Sequence, residues 1–233
     1  MRRPRALKST GMNERDTAQT AAILRSIREN GLAGAVLIDA PFTQFVRVNL
    51  MMLKGLSQDS RLPGVFVSVD RPHQYIVHLL SMHQIRAENL VFIDAISRFS
   101  ADSKVAEANV GFLDGPFHID RLTSAFSEMK WANDGTALKD VRFALIDNLS
   151  ALLTYNSFSA VESFLATFVR GFEPQGNVLI PLIIDSERSR PLYEVAKSLC
   201  AKEIGLRDLG ASAPQAAVRS SGAWTAARPT RGV

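Results

Sequence analysis

Five short apolar runs, each closed by an aspartate, alternate with amphipathic segments of helical length, and this alternation leaves few folds open. The runs cover 34–38, 64–69, 90–93, 141–146 and 178–184, ending at Asp39, Asp70, Asp94, Asp147 and Asp185. An apolar run this short and bounded reads as a strand buried on both faces. Strands joined through helices pair in parallel, because a crossover returns the chain to the same end of the sheet. The expected fold is therefore α/β, in three layers, with a mostly parallel sheet of about five core strands and helices on both faces. In such a sheet the strand carboxyl ends share one edge, where ligands bind. All five aspartates are expected on that edge.

The intervening segments carry the helical period. Glu14–Glu29 turns Ala18, Ala21, Ala22, Leu24 and Ile27 inward and is stopped by Asn30-Gly31. Phe45–Leu56 places Val46, Leu50 and Leu53 at helical spacing, and Pro72 suits the first turn of a helix over 73–83. Further helices are expected over 120–131, 158–172 and 187–200. Phe164, Phe168 and Phe172 step by four, the spacing of one helix face packed on a sheet. Ser97–Pro116 shows no period and reads as a long irregular connection.

Charge divides the chain into a body and two ends. The sequence pI is about 9.5, which invites a nucleic-acid reading. Residues 1–12 carry Arg2, Arg3, Arg5 and Lys8 with no acid, and residues 211–233 carry three arginines with no acid. Removing that +7 from the formal +4 leaves 13–210 at −3. Basicity therefore lives in the ends, and nucleic-acid contact through them is the lesser alternative. The expected organisation is a disordered basic tail over 1–12, one domain over 13–204, and a disordered Ala/Ser/Pro/Arg tail over 205–233. No apolar run approaches the roughly 20 residues that span a bilayer, so no membrane partner is expected and the expected location is cytoplasmic. The single cysteine, Cys200, excludes an intrachain disulfide and a cysteine-built zinc site.

Other chemistry-bearing patterns carry little. His73, His78 and His83 are five apart and fan around a helix instead of converging on a metal, and His118 stands alone. No Gly-x-Ser-x-Gly elbow is present to make a nucleophile. Gly111-Phe-Leu-Asp-Gly115 does not join a strand to a helix, as a dinucleotide fingerprint must.

The fourth run, Val141-Arg-Phe-Ala-Leu-Ile-Asp147, is followed by Asn148-Leu-Ser150. Ahead of it stand Ala35-Val-Leu-Ile38 with the loop Asp39–Thr43, Phe66-Val-Ser-Val-Asp70, and Asn89-Leu-Val-Phe-Ile-Asp-Ala-Ile-Ser97. In pattern and order these resemble the RecA/KaiC-like ATPases, particularly the archaeal KaiC-like type, over roughly residues 13–204. The resemblance implies a sheet order of 3-2-4-5-1, with strands numbered along the chain. It implies a phosphate loop at Asp39–Thr43, a catalytic acid at Asp70 and a magnesium-linked acid at Asp147. Thr43 falls where the metal-binding hydroxyl would be, and Arg47, one helical turn on, could replace the missing cation. The nucleotide-binding set implied is thus Thr43, Arg47, Asp70 and Asp147, with Asp147 at the metal and ATP with magnesium as ligands.

The departures run against phosphate chemistry. No Gly-x-x-x-x-Gly-Lys-[Ser/Thr] occurs anywhere in the chain. Asp39-Ala-Pro-Phe-Thr-Gln-Phe-Val46 has no glycine to let backbone amides wrap a phosphate and no lysine to reach it. Asp70 stands where the family generally has glutamate, one methylene longer. Water positioning is sensitive to such displacements. Asp39, Asp94 and Asp185 read more simply as caps or turn formers, and Arg47 as a helix-surface arginine. The reading is a domain with a degenerate phosphate loop, without catalytic residues or cofactor. It is expected to act in regulation or scaffolding through a protein partner or self-association. A nucleotide binder or weak ATPase with a non-standard loop is the alternative.

Overall fold

The apolar runs are rich in Val, Ile, Leu and Phe, and they form strands because side chains on both faces find cover. The computed structural model describes residues 12–29, 31, 33–97, 109–113, 115, 119, 141–172 and 176–211. The helix expected over 120–131, His118 and most of both expected tails lie outside them. Helix α1 (Glu14–Arg28), capped by the Asn13 side chain on the Asp16 amide at 2.8 Å, precedes β1 (Gly34–Asp39). A single 3₁₀ turn over 42–44 leads into α2 (Phe45–Leu53). Then follow β2 (Gly64–Ser68), α3 (His73–Met82), β3 (Leu90–Asp94), β4 (Val110–Phe112) and β5 (Phe143–Ile146). The last elements are α4 (Leu152–Tyr155), α5 (Phe158–Phe172), β6 (Leu179–Ile184), α6 (Arg190–Leu199), β7 (Lys202–Gly205) and α7 (Leu206–Ala211).

The strands form one all-parallel sheet in the order β4-β3-β2-β5-β6-β1-β7. Seven strands replace the expected five in order 3-2-4-5-1. The two added strands are the outer ones: β4 falls inside the segment expected to be irregular, and β7 follows α6. Neither has an apolar run of its own. Each forms because a neighbouring strand offers a row of unpaired backbone groups. Residues 205–211, expected in the tail, belong to the fold, with Leu206 buried in the same cluster as Val36 and Ile38 of β1.

Alternation along the strands builds two cores. Leu37, Val65, Val67 and Ile146 face α5 and α6, whereas Val36, Ile38, Phe66 and Leu145 face α1, α2 and α3. The expected helix over 45–56 ends at Leu53 and widens into a π-turn over 54–59. Gly55 lies in that turn where a Cβ would sit 2.6 Å from the Leu24 side chain of α1, so glycine lets α1 pack close there without displacing it. Gly64 does the same for the sheet: opposite it, the Phe143 ring occupies the space a side chain would take, 2.1 Å from an added Cβ.

The chain leaves β2 toward β3 but leaves the adjacent β5 toward β6, in the opposite direction. The β2/β5 boundary is therefore a topological switch point, the place where open α/β sheets hold ligands.

Candidate functional site

At that switch point Asp147 emerges from β5 into the interior. Its side chain is 4% exposed, and both oxygens bind the loop after β2. Oδ1 accepts the Val69 amide at 2.9 Å, and Oδ2 accepts the amides of Asp70 and Arg71 at 3.3 and 3.4 Å. Burial nevertheless pushes the carboxyl up to about 7, aided by the nearby Asp70 charge and only partly opposed by those three amides. The backbone carbonyl of Asp147 accepts Nδ2 of Asn49, a buried residue on α2, at 2.8 Å. Asn148 donates Nδ2 to Asp70 Oδ2 at 3.2 Å. The amides of both asparagines are thereby oriented by acceptors, and their Oδ1 atoms are buried with no donor.

These groups wall a cleft of about 110 Å³ together with Thr43, Phe42, Phe45, Val46, Arg71 and Ile76. Of the residues expected to bind a nucleotide, Thr43, Asp70 and Asp147 are brought together and Arg47 is not. Arg47 turns from the cleft to α1: Nε donates to Asp16 Oδ1 at 2.7 Å, Nη1 to Gln44 Oε1 at 2.8 Å, and Nη2 to Gln19 Oε1. It clamps α1 to the start of α2 and supplies no cation to the cleft.

The loop after β1 is closed by the other strand-end acids. Asp185 Oδ2 accepts the Phe42 amide at 2.8 Å, while its Oδ1 accepts the amides of Glu187 and Arg188. Asp39 accepts both the amide and the hydroxyl of Ser186, at 3.0 and 2.7 Å. The Gln44 and Phe45 amides bond Pro41 and Phe42 carbonyls. A protein carboxylate thus holds the first free amide of this helix entrance, where an anion would otherwise bind. Arg188 lies over the Phe42 ring, 4.1 Å from its centroid, and Phe42 packs edge-on against Phe45.

Asp94 serves a different purpose. It is fully buried, and its oxygens accept the His73 amide and Nδ1 at 2.8 and 2.6 Å, the amides of Ile96 and Ser97, and the Ser97 hydroxyl at 2.6 Å. Burial would raise its pKa, but the bonds from His73 and Ser97 outweigh it and hold it down at about 2. The serine donates to the acid and not to the histidine, so the trio does not form a nucleophile triad. It pins the start of α3 to the end of β3.

Sequence reasoning missed Asn49 and gave Asn148 no role. The signal for Asn49 is one amide in a helix stretch that is otherwise apolar but for Arg47, Phe45-Val-Arg-Val-Asn-Leu-Met-Met-Leu53. Among the described residues, no group of three or more His, Cys, Asp or Glu side chains gathers as a metal site, and no helix is long and apolar enough to cross a membrane. The chain matches no family model and no curated protein.

Proposed function

We propose that this chain is a non-catalytic, RecA/KaiC-like domain that acts in regulation or scaffolding through protein–protein contacts at the carboxyl edge of its sheet. The observation that carries the reading is the Asp185 carboxylate on the Phe42 amide. A phosphate entering after β1 would have to displace an internal anion that is already hydrogen-bonded. The cleft at Asp147, about 110 Å³, is also below the roughly 300 Å³ of the smallest ordinary ligand pockets. The same edge exposes Phe42, Tyr75, Tyr155 and Phe158, with Arg188 over Phe42 and Arg71 over Tyr75. Aromatic rings with arginines are the composition of interface centres.

A second reading has one observation behind it: Thr43, Asp70 and Asp147 do share a cleft, as a nucleotide binder with a rebuilt loop requires. Isothermal titration with ATP and magnesium separates the two. The scaffold predicts no heat at millimolar ATP; saturable heat that is lost in Asp147→Ala establishes the binder instead.

A further inference from the structure

The residues around the cleft at the β2/β5 boundary carry acceptors in excess of donors. Asn49 Oδ1 and Asn148 Oδ1 are unpaired, and neither amide can turn over, because each Nδ2 already faces an oxygen. Asp147 and Asp70 add two carboxylates, and the one cationic side chain among the lining residues, Arg71, leans toward Tyr75 and Asp70. Two buried acceptors without donors have lost their water and gained nothing in return. A ligand that brings donors recovers that loss.

We propose that this cleft docks the ammonium end of a lysine side chain presented by a protein partner. An ammonium carries three donors and no acceptor, which matches two amide oxygens and a carboxylate. A guanidinium is a planar fork suited to paired carboxylate oxygens, and Asp147 has both of its oxygens committed to backbone amides. The walls suit the stem as well as the head: Phe45, Val46 and Ile76 are apolar and cover methylenes, as lysine stems prefer. Phe42, Thr43 and Asp70 are the exposed residues of the lining, past which the side chain would enter. The proposal rests on the protein–protein reading above and names the partner chemistry of that same edge.

The test uses the full chain and N-acetyl-lysine methylamide as probe, with the norleucine analogue as the uncharged control. Amide chemical shifts of Asn49, Asn148 and Phe42–Phe45 are followed. The expected result is saturable movement with the lysine probe and none with norleucine. Asp70→Asn, at an exposed position that leaves the fold intact, should weaken binding at least threefold, and Asn148→Ala by a similar factor. Binding should strengthen between pH 6 and 8, as Asp147 gives up its proton beside Asp70 and Arg71. No shift with lysine overturns the inference. So does movement of the same resonances by magnesium or potassium alone, which would make the cleft a metal site. Binding that appears only once residues 1–11 are removed assigns the cleft to the chain's own basic segment and overturns the partner. A chain that takes neither lysine nor ATP refutes this inference alone; one that takes ATP refutes the reading beneath it.

Discussion

Asp94 and Asp147 end the two strands that flank β2, yet their surroundings have opposite characters. Around Asp94 the carboxylate accepts donors from His73, Ile96 and Ser97, and its proton affinity falls to about 2. Around Asp147 burial outweighs the amide donors, its proton affinity rises to about 7, and two nearby amide oxygens are left unpaired. A buried carboxylate that accepts this many donors rigidifies a junction. A network with acceptors left over carries a cost that an incoming donor relieves. The first junction therefore reads as architecture and the second as a site.

The largest expected effect breaks the satisfied junction. His73→Ala removes the buried partner of a buried charge and should cost about 3–5 kcal/mol, measured by urea denaturation at pH 7. A loss below 1 kcal/mol would mean Asp94 is solvated in a way the geometry denies.

The pH profile sharpens the contrast, because the two aspartates give slopes of opposite sign. Asp94 is held below its unfolded value of about 3.9, so its contribution is present above that value and is lost as pH falls toward 2. Asp147 is raised, so the folded state binds its proton more tightly than the unfolded chain. Stability attributable to it falls as pH rises from about 4 to about 7 and then levels. Asp147→Asn should flatten the second limb and leave the first; thermal unfolding across pH 3 to 8 shows both.

Next comes the clamp outside both junctions. Arg47→Ala should cost about 1 kcal/mol through its ties to Asp16 and Gln19, and should leave lysine binding unchanged. The smallest effect is expected at Asn148→Ala, below about 1 kcal/mol: its side-chain oxygen is already unpaired and its Nδ2 bond reaches an exposed acid. A larger cost would mean that the oxygen is partnered in solution and that the cleft is not acceptor-rich.

Much of this was legible in the chain. The period-free apolar runs fixed five central strands, and the four-step phenylalanines placed α5 over 158–172 as observed. Local pattern sufficed there because burial on both faces demands a continuous apolar run. The edge strands were not legible: Val110–Phe112 and Lys202–Gly205 owe their conformation to a neighbour's unpaired backbone, not to their own composition. Nor was the direction of Arg47, since residues four apart on a helix differ by about 40° and face slightly different neighbours.

The sequence by itself determined the α/β class, the alternation of helix and strand, and the gathering of strand-end aspartates on one edge. Periodicity and burial act locally, so they can be read residue by residue. Only the tertiary structure decided which aspartates are spent on loops and which line a cleft. It alone put the Asp185 carboxylate on the Phe42 amide, 143 residues away, and left the oxygens of Asn49 and Asn148 without donors. Hydrogen-bond satisfaction depends on which distant groups meet, and no local pattern encodes that meeting.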